Sequence, residues 1–382
     1  MSNKEWYEIE EDNEDKYEIK IYDITPSPND FNINTYFDFI EAGKLIIPTF
    51  QRNYVWDIKK ASKLIESLII GLPIPQIFLF SEGDNRYIVI DGQQRLMSIY
   101  YFIKGRFPRT DKRAEIRRKL IEKDGVIDDD FMQNNDYYRD FKLSMDNKKN
   151  PLNNETYDSL DENLLDNFKY RTIRNISIRQ NSPHTDENSS IYEIFNRLNT
   201  GGINLQPQEI RSSLYHSSFY DMLQKINLNT KWREFLGKED LDLHLKDIEI
   251  LLRVYALGLS DINTDYKSNM KSFLNEFSSK AKKFTDEQIE KFKEIFFKFM
   301  ESCKDLEQNS FMNSKKRFQI SIFDAVFYVW IKEYLNQNTF YIDKSKFNSM
   351  REDIDFKKQT EKSTTNTEAL KERIRLAKEY LV

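Results

Sequence analysis

The chain has 382 residues, 39% of them hydrophobic and 32% charged, and its 28 Phe and 21 Tyr exclude a disordered polyampholyte. Its net charge of -5 is local. Residues 1–20 carry eight acids (Glu5, Glu8, Glu10, Glu11, Asp12, Glu14, Asp15 and Glu18) against Lys4, Lys16 and Lys20, so the rest of the chain is neutral. This excludes a protein that holds DNA by bulk attraction and confines any nucleic-acid contact to a patch.

Residues 1–29 are expected to be a solvated acidic arm ending at Pro26 and Pro28. From Phe31 to Phe107 short apolar runs alternate with helical periodicity. Asp57 caps an expected helix with Ile58, Ala61, Leu64, Ile65, Leu68 and Ile69 on one face and Gly71 as its stop. Pro73 and Pro75 force an extended entry into a strand at Gln76–Phe80. A Gly83-Asp84-Asn85 turn and a second strand at Arg86–Ile90 complete a hairpin. Leu96, Ile99, Tyr100 and Ile103 then recur at helical spacing.

Residues 104–123 hold nine Lys/Arg against three acids, and an Asn/Asp-rich stretch from Asp124 to about Asn167 reads as an insertion. Tyr170 to Ile178 alternates as a strand, and everything after Ile191 reads helical. Thr285 and Gln288 form a capping box for a helix reaching Cys303, and Ile320 to Leu335 reads as a buried helix. The expected organisation is α+β. An arm at 1–29 precedes an α/β domain at 30–182, with an insertion around 105–167, and a helical domain at 183–382.

Other classes are set aside by what the sequence lacks. The acidic N-terminus does not read as a signal or transit peptide, and no run approaches the ~18 apolar residues of a membrane span. The single cysteine, Cys303, excludes an internal disulfide and a thiolate-rich zinc site, and the compartment is expected to be cytoplasmic. His184, His216 and His244 lie far apart without ligand spacing, and there is no Walker A or GxGxxG pattern.

Glycine is scarce, ten in the chain, so its positions carry information. Gly92 stands in Ile90-Asp91-Gly92-Gln93-Gln94-Arg95, between an expected strand and an expected helix. Such a turn presents backbone N–H groups and the helix dipole to a phosphate. Arg95 adds a forked donor, Gln93 and Gln94 add neutral ones, and Asp91 suits a magnesium ion or a helix cap. The alternative is a capped helix with a surface arginine. Gln51, Arg52 and Asn53 form a second donor group beside Tyr54 and Trp56, which serve either as core anchors or as a nucleobase contact. Phe195-Asn196-Arg197-Leu198-Asn199-Thr200-Gly201-Gly202 holds the only Gly-Gly, read either as a helix C-cap or as a close backbone approach.

Pro48-Thr-Phe-Gln-Arg-Asn-Tyr-Val-Trp56, Gly71-Leu-Pro-Ile-Pro75, Ile90-Asp-Gly-Gln-Gln-Arg-Leu96 and Phe195-Asn-Arg-Leu-Asn-Thr-Gly-Gly202 together resemble one family in order and content. It is the family of the N-terminal domain of GmrSD restriction endonucleases, with a ParB/sulfiredoxin-like fold and a DGQQR motif. The likeness covers residues 30–225 and continues more weakly through the Glu249–Arg253 helix. It implies nucleotide binding and hydrolysis at the DGQQR turn, in bacterial systems that restrict modified phage DNA. Asp91 and Arg95 would be catalytic, with Asp91 also the metal ligand for an NTP with Mg2+. Gln51, Arg52, Gly92, Gln93, Gln94, Asn199, Gly201 and Gly202 would bind the nucleotide.

Many members carry a C-terminal nuclease domain of H-N-H type, whereas this chain has no histidine after His244. Cleavage would then come from a separate nuclease subunit. The basic stretch offers Arg113, Arg117 and Arg118 as one exposed DNA-binding helix face. The functional expectation is an NTP-hydrolysing sensor subunit with DNA as partner, the oligomeric state left open to a homo-oligomer. The alternatives are a non-catalytic DNA-binding or adaptor protein on the same fold and a helical scaffold whose acidic arm docks on a basic partner. His216 reads as structural and Cys303 as core.

Overall fold

The computed structural model describes residues 6–8, 23–46, 54–83, 86–122, 129–181, 194, 206–242, 244–267, 269–361 and 364–382. The chain divides into two compact units: residues 21–214, and residues 1–20 together with 215–382. The division between the units falls after Leu214.

In the first unit the chain runs through β1 (Ile24–Asn32), α1 (Ile33–Glu41), β2 (Leu45–Ile46), α2 (Ile58–Ile70), β3 (Ile77–Ser81), β4 (Tyr87–Asp91) and α3 (Gln93–Ile103). It continues through β5 (Arg106–Pro108), α4 (Arg113–Glu122), α5 (Asp129–Gln133), β6 (Tyr138–Asp140), α6 (Glu162–Lys169), β7 (Thr172–Gln180) and α7 (Pro207–Leu214). Five strands form a mixed sheet ordered β1-β7-β3-β4-β2, and β5 pairs with β6 in a separate ribbon. The hairpin β3/β4 is antiparallel with an irregularity at Phe78/Leu79, while β7 runs parallel to β3 with Ile77 opposite Asn175.

Helix α2 forms as its sequence directs. Asp57 Oδ1 accepts from the Lys60 N–H at 2.8 Å, and Gly71 turns left-handed at φ 85° to end it. Its buried residues Ala61, Leu64, Ile65, Leu68 and Ile69 join Ile77, Leu79, Val89, Leu96, Ile99 and Phe102 in one core. The Asn/Asp-rich stretch belongs to that same core through Phe131, Met132, Tyr138, Phe141, Leu143 and Leu160, so it is part of the domain's interior packing.

The expected arm differs in two places. Residues from Ile24 onward are strand β1, paired with β7 along its whole length, Pro26 opposite Ile178 and Pro28 opposite Ile176. An edge strand accepts proline because half of its backbone groups face no neighbour. Its residues are mostly exposed, so no hydrophobic alternation announces it. Near the N-terminus, Trp6–Glu8 are docked on the second unit. Phe318 N donates to Trp6 O at 2.9 Å, Glu8 N donates to Phe318 O at 3.0 Å, and Trp6 Nε1 donates to Asp242 Oδ2 at 2.8 Å.

The second unit is helical as expected. The Lys246–Leu259 helix packs against Ile320–Leu335 and is tied to it by Arg253 Nε donating to Asp324 Oδ2 at 2.6 Å. The Thr285/Gln288 capping box is formed, and Cys303 is fully buried, its thiol pushed up to about 12 by burial.

Candidate functional site

Strand β4 ends at Asp91 and helix α3 begins at Gln93, which leaves Gly92 alone to turn the chain. Gly92 has φ 105°, a left-handed value, and a Cβ there would lie 2.9 Å from Ile77 Cγ1. Backbone angle and close packing independently require glycine at this point. As N-cap it supplies no side-chain acceptor, so the first turn of α3 lacks the capping oxygen that Asp57 provides to α2. The helix N-terminus thus carries donors and a positive dipole end beside the Asp91 carboxylate, whose side chain is 41% exposed.

Arg95 does not extend into that opening. Its side chain is 10% exposed, and Nη2 donates to Asp91 Oδ2 at 2.7 Å. Nη1 donates to the carbonyls of Pro75 and Gln76, the latter at 3.1 Å. The guanidinium therefore braces the end of β4 against the entry to β3 and fixes one Asp91 oxygen. The other Asp91 oxygen is uncommitted among the described residues. A magnesium ion carried with phosphates needs only one or two protein carboxylates, and Asp91 fits that demand. Among the described residues no group of three or more His, Cys, Asp or Glu forms a cage for a metal by itself.

The segment leading into α2 is fastened to the same turn. Gln94 Oε1 accepts from the Val55 N–H at 3.0 Å. Tyr54 Oη lies 2.8 Å from Ser98 Oγ, and Ser98 Oγ donates to the Gln94 carbonyl at 2.7 Å. Burial raises the Tyr54 phenol well above its usual range, with the Ser98 hydrogen bond opposing, so Tyr54 stays neutral and acts as an anchor. Ser98 was not singled out from sequence; its signal was a hydroxyl one helical turn after Gln94, on an otherwise apolar face. Asn175 was missed as well. It is fully buried on β7 and donates to Tyr36 Oη at 3.0 Å, a polar residue at an inward position of an alternating strand.

Of the residues expected at the nucleotide site, Asp91, Gly92, Gln93, Gln94 and Arg95 form this turn. Gln51, Arg52, Asn199, Gly201 and Gly202 lie outside the described residues.

The expected DNA-binding face of α4 is not one face. Arg117 is buried at 6% exposure, Arg113 is half-buried and Arg118 is exposed. Arg113 lies over an aromatic ring, its Cζ 5.4 Å from the centre of Tyr54. Arg113 Nη2 donates to Trp56 O at 2.6 Å, and burial lowers its guanidinium pKa. Its neighbours in sequence are similarly engaged. Lys104 bridges Glu41 and Asp129, Arg106 bonds Asp140, Asn135 and the Met132 carbonyl, and Lys112 pairs with Glu115. The basic run stitches the Asn/Asp-rich segment to the domain. His216, which belongs to the other unit, pairs with Asp221 at 3.2 Å.

Residues 33–216 match the family described as GmrSD restriction endonuclease, N-terminal domain. This part of the chain is a domain of that family, which marks the protein as a restriction-system component. No curated protein and no solved structure matches the chain. No helix among the described residues is long and apolar enough to cross a membrane.

Proposed function

We propose that the chain built around this GmrSD N-terminal domain is the NTP-binding and NTP-hydrolysing sensor subunit of a bacterial anti-phage system that restricts modified DNA, with cleavage supplied by another polypeptide. The observation that carries the reading is the Gly92 turn. A glycine enforced by both φ and packing opens a helix N-terminus without a side-chain cap, next to a carboxylate held in place by Arg95. The five-stranded mixed sheet with its helices is compatible with the ParB/sulfiredoxin-like fold that the motif order implies.

The roles follow from the chemistry. Backbone N–H groups of the first turn of α3 receive a phosphate, and the amides of Gln93 and Gln94 add donors whose strength does not depend on pH. Asp91 holds magnesium or orients the attacking water, and bound magnesium would supply charge neutralisation to the phosphates. Arg95 is a positioning residue, since its guanidinium reaches the site only through Asp91. Gln51 and Arg52, and Asn199 with Gly201 and Gly202, are assigned to the same cleft by the family resemblance alone.

A second reading has one observation in its favour. With Arg95 turned inward, no arginine of the described turn faces the opening, which suits a subunit that binds nucleotide or DNA without turnover. Phosphate release from purified protein, with and without modified DNA, separates the two when run beside Asp91→Ala and Arg95→Ala. Turnover in wild type that both variants lose supports the sensor enzyme. Equal background release from all three defeats it, and nucleotide binding without release selects the adaptor.

A further inference from the structure

The N-terminal segment meets the second unit as a peptide meets a receptor. Phe318 pairs on one side with Met312, antiparallel, and on the other with Tyr7, parallel. Trp6–Glu8 is thus an added outer strand, held by its two main-chain bonds to Phe318. Its side chains are met by polar and charged groups. The Trp6 indole N–H donates to Asp242 Oδ2, and Lys238 Nζ, bonded to that oxygen at 2.8 Å, lies 5.0 Å from the centre of the Trp6 ring. Lys246 Nζ lies 4.9 Å from the centre of the Tyr7 ring. Asn313 Nδ2 and Gln319 Nε2 donate to the two Glu8 carboxylate oxygens at 2.5 and 3.4 Å. All three segment residues are half-buried. Trp232 of the same unit shows the contrast: it is fully buried, with Phe296, Phe318 and Phe323 around its ring.

The receiving groups are set by bonds within the second unit. Asp242 Oδ1 accepts from the backbone N–H groups of His244 and Lys246 at 2.9 and 3.2 Å. Asn313 Oδ1 accepts from the N–H groups of Lys315 and Arg317, and Gln319 Oε1 accepts from Arg351 Nη2 at 3.1 Å. Each carboxamide thus has its oxygen engaged at home and its NH2 turned to Glu8. Main-chain pairing along a strand edge, with side chains read one by one by groups already in place, is recognition by strand addition. From Glu8 the chain runs through fifteen residues, Ile9–Asp23, before β1 of the other unit, a connection with a reach of at most about 50 Å. A preformed receptor and a ligand on a long connection are the elements of segment exchange between identical chains. We infer that the surface around Phe318 is a peptide-docking site that takes the Trp6–Glu8 segment of a second copy of this chain in exchange for its own.

Sedimentation velocity on full-length chains tests the exchange with two complementary variants. Trp6→Ala spoils the ligand and leaves the receptor. Asp242→Asn leaves the ligand and spoils the receptor, because its amide N–H meets the indole N–H and the Lys238 ammonium. In wild type the tethered segment competes at an effective concentration on the order of millimolar, which holds it on its own chain. The mixture pairs an intact ligand with a receptor that has lost this competitor. Its dimer fraction should exceed that of either variant alone by about tenfold or more at the same total concentration. Lys238→Glu, which sets a carboxylate beside Asp242, is a second receptor variant with the same expected result, and thermal melts confirm that each protein is folded. Excess synthetic peptide of residues 3–12 should dissolve the mixed dimer, while the same peptide carrying Trp6→Ala should leave it intact. A folded pair that forms no more dimer than its components overturns the exchange. A mixed dimer that the peptide leaves untouched also overturns it, by placing the association on another surface.

Discussion

The turn at Asp91–Arg95, with its one arginine, and the basic run at residues 104–123 both offered arginine donors, yet the fold uses them differently. In the turn the arginine folds inward and leaves backbone groups and a half-exposed carboxylate at the surface. In the basic run Arg106 and Arg117 are buried and Arg113 is half-buried on the Trp56 carbonyl, while Lys104 and Lys112 pair with carboxylates of the domain. What separates a candidate site from a brace is therefore what remains outward once the guanidinium has been placed. Near the turn that remainder is a helix N-terminus.

The comparison can be broken first at Arg95. Arg95→Ala strands the Pro75 and Gln76 carbonyls and releases Asp91, with an expected loss of about 2–4 kcal/mol in chemical denaturation. A loss below about 0.5 kcal/mol would mean that Arg95 is an outward-facing residue after all. The second unit uses charge in the same internal way at Asp242. Burial alone would raise its carboxyl, but bonds from Lys238 and Trp6 and the Lys238 charge hold it at about 2. A depressed carboxyl stabilises above its unfolded value, near 4, and loses that contribution as pH falls toward 2. Roughly 2 kcal/mol should disappear across that window, visible as a change in Trp6 fluorescence that an Asp242→Asn variant lacks.

Smaller effects sharpen the contrast. Gly92→Ala should cost about 1–2 kcal/mol for its left-handed φ, plus the displacement of Ile77, and should abolish nucleotide binding. Gln94→Ala removes one hydrogen bond to Val55, worth about 0.5–1.5 kcal/mol, and should weaken nucleotide binding more than it lowers the melting temperature. Arg118→Gln on exposed α4 should stay within about 0.5 kcal/mol of wild type.

Much of the frame was legible because it is local. Asp57 and Gly71 bound α2, Pro73 and Pro75 set the entry to β3, and Gly92 marks the strand-to-helix turn, each through its own backbone chemistry. Strand β1 was not, since its exposed residues form a strand only because β7, far along the chain, pairs with them. The same holds for Trp6–Glu8, whose partners Asp242 and Phe318 lie hundreds of residues away. Arginine direction was the other illegible element. A side chain with a long apolar stem and a charged fork goes where carbonyls and rings are available, and for Arg95 and Arg113 these come from residues 19 and 57 positions away. At the site itself, residue identity was readable from the Asp91–Arg95 motif, but the division of labour between Asp91 and Arg95 was not.

The most direct test of the nucleotide site is the affinity of Gln93→Glu for ATP with Mg2+. A carboxylate in the first turn of α3 favours the helix, so the variant should melt at or above the wild-type temperature. The same charge opposes a phosphate at that N-terminus, so affinity should fall about tenfold or more. Stable protein with lost affinity is the result the account predicts. Stable protein that binds ATP as well as wild type would contradict it.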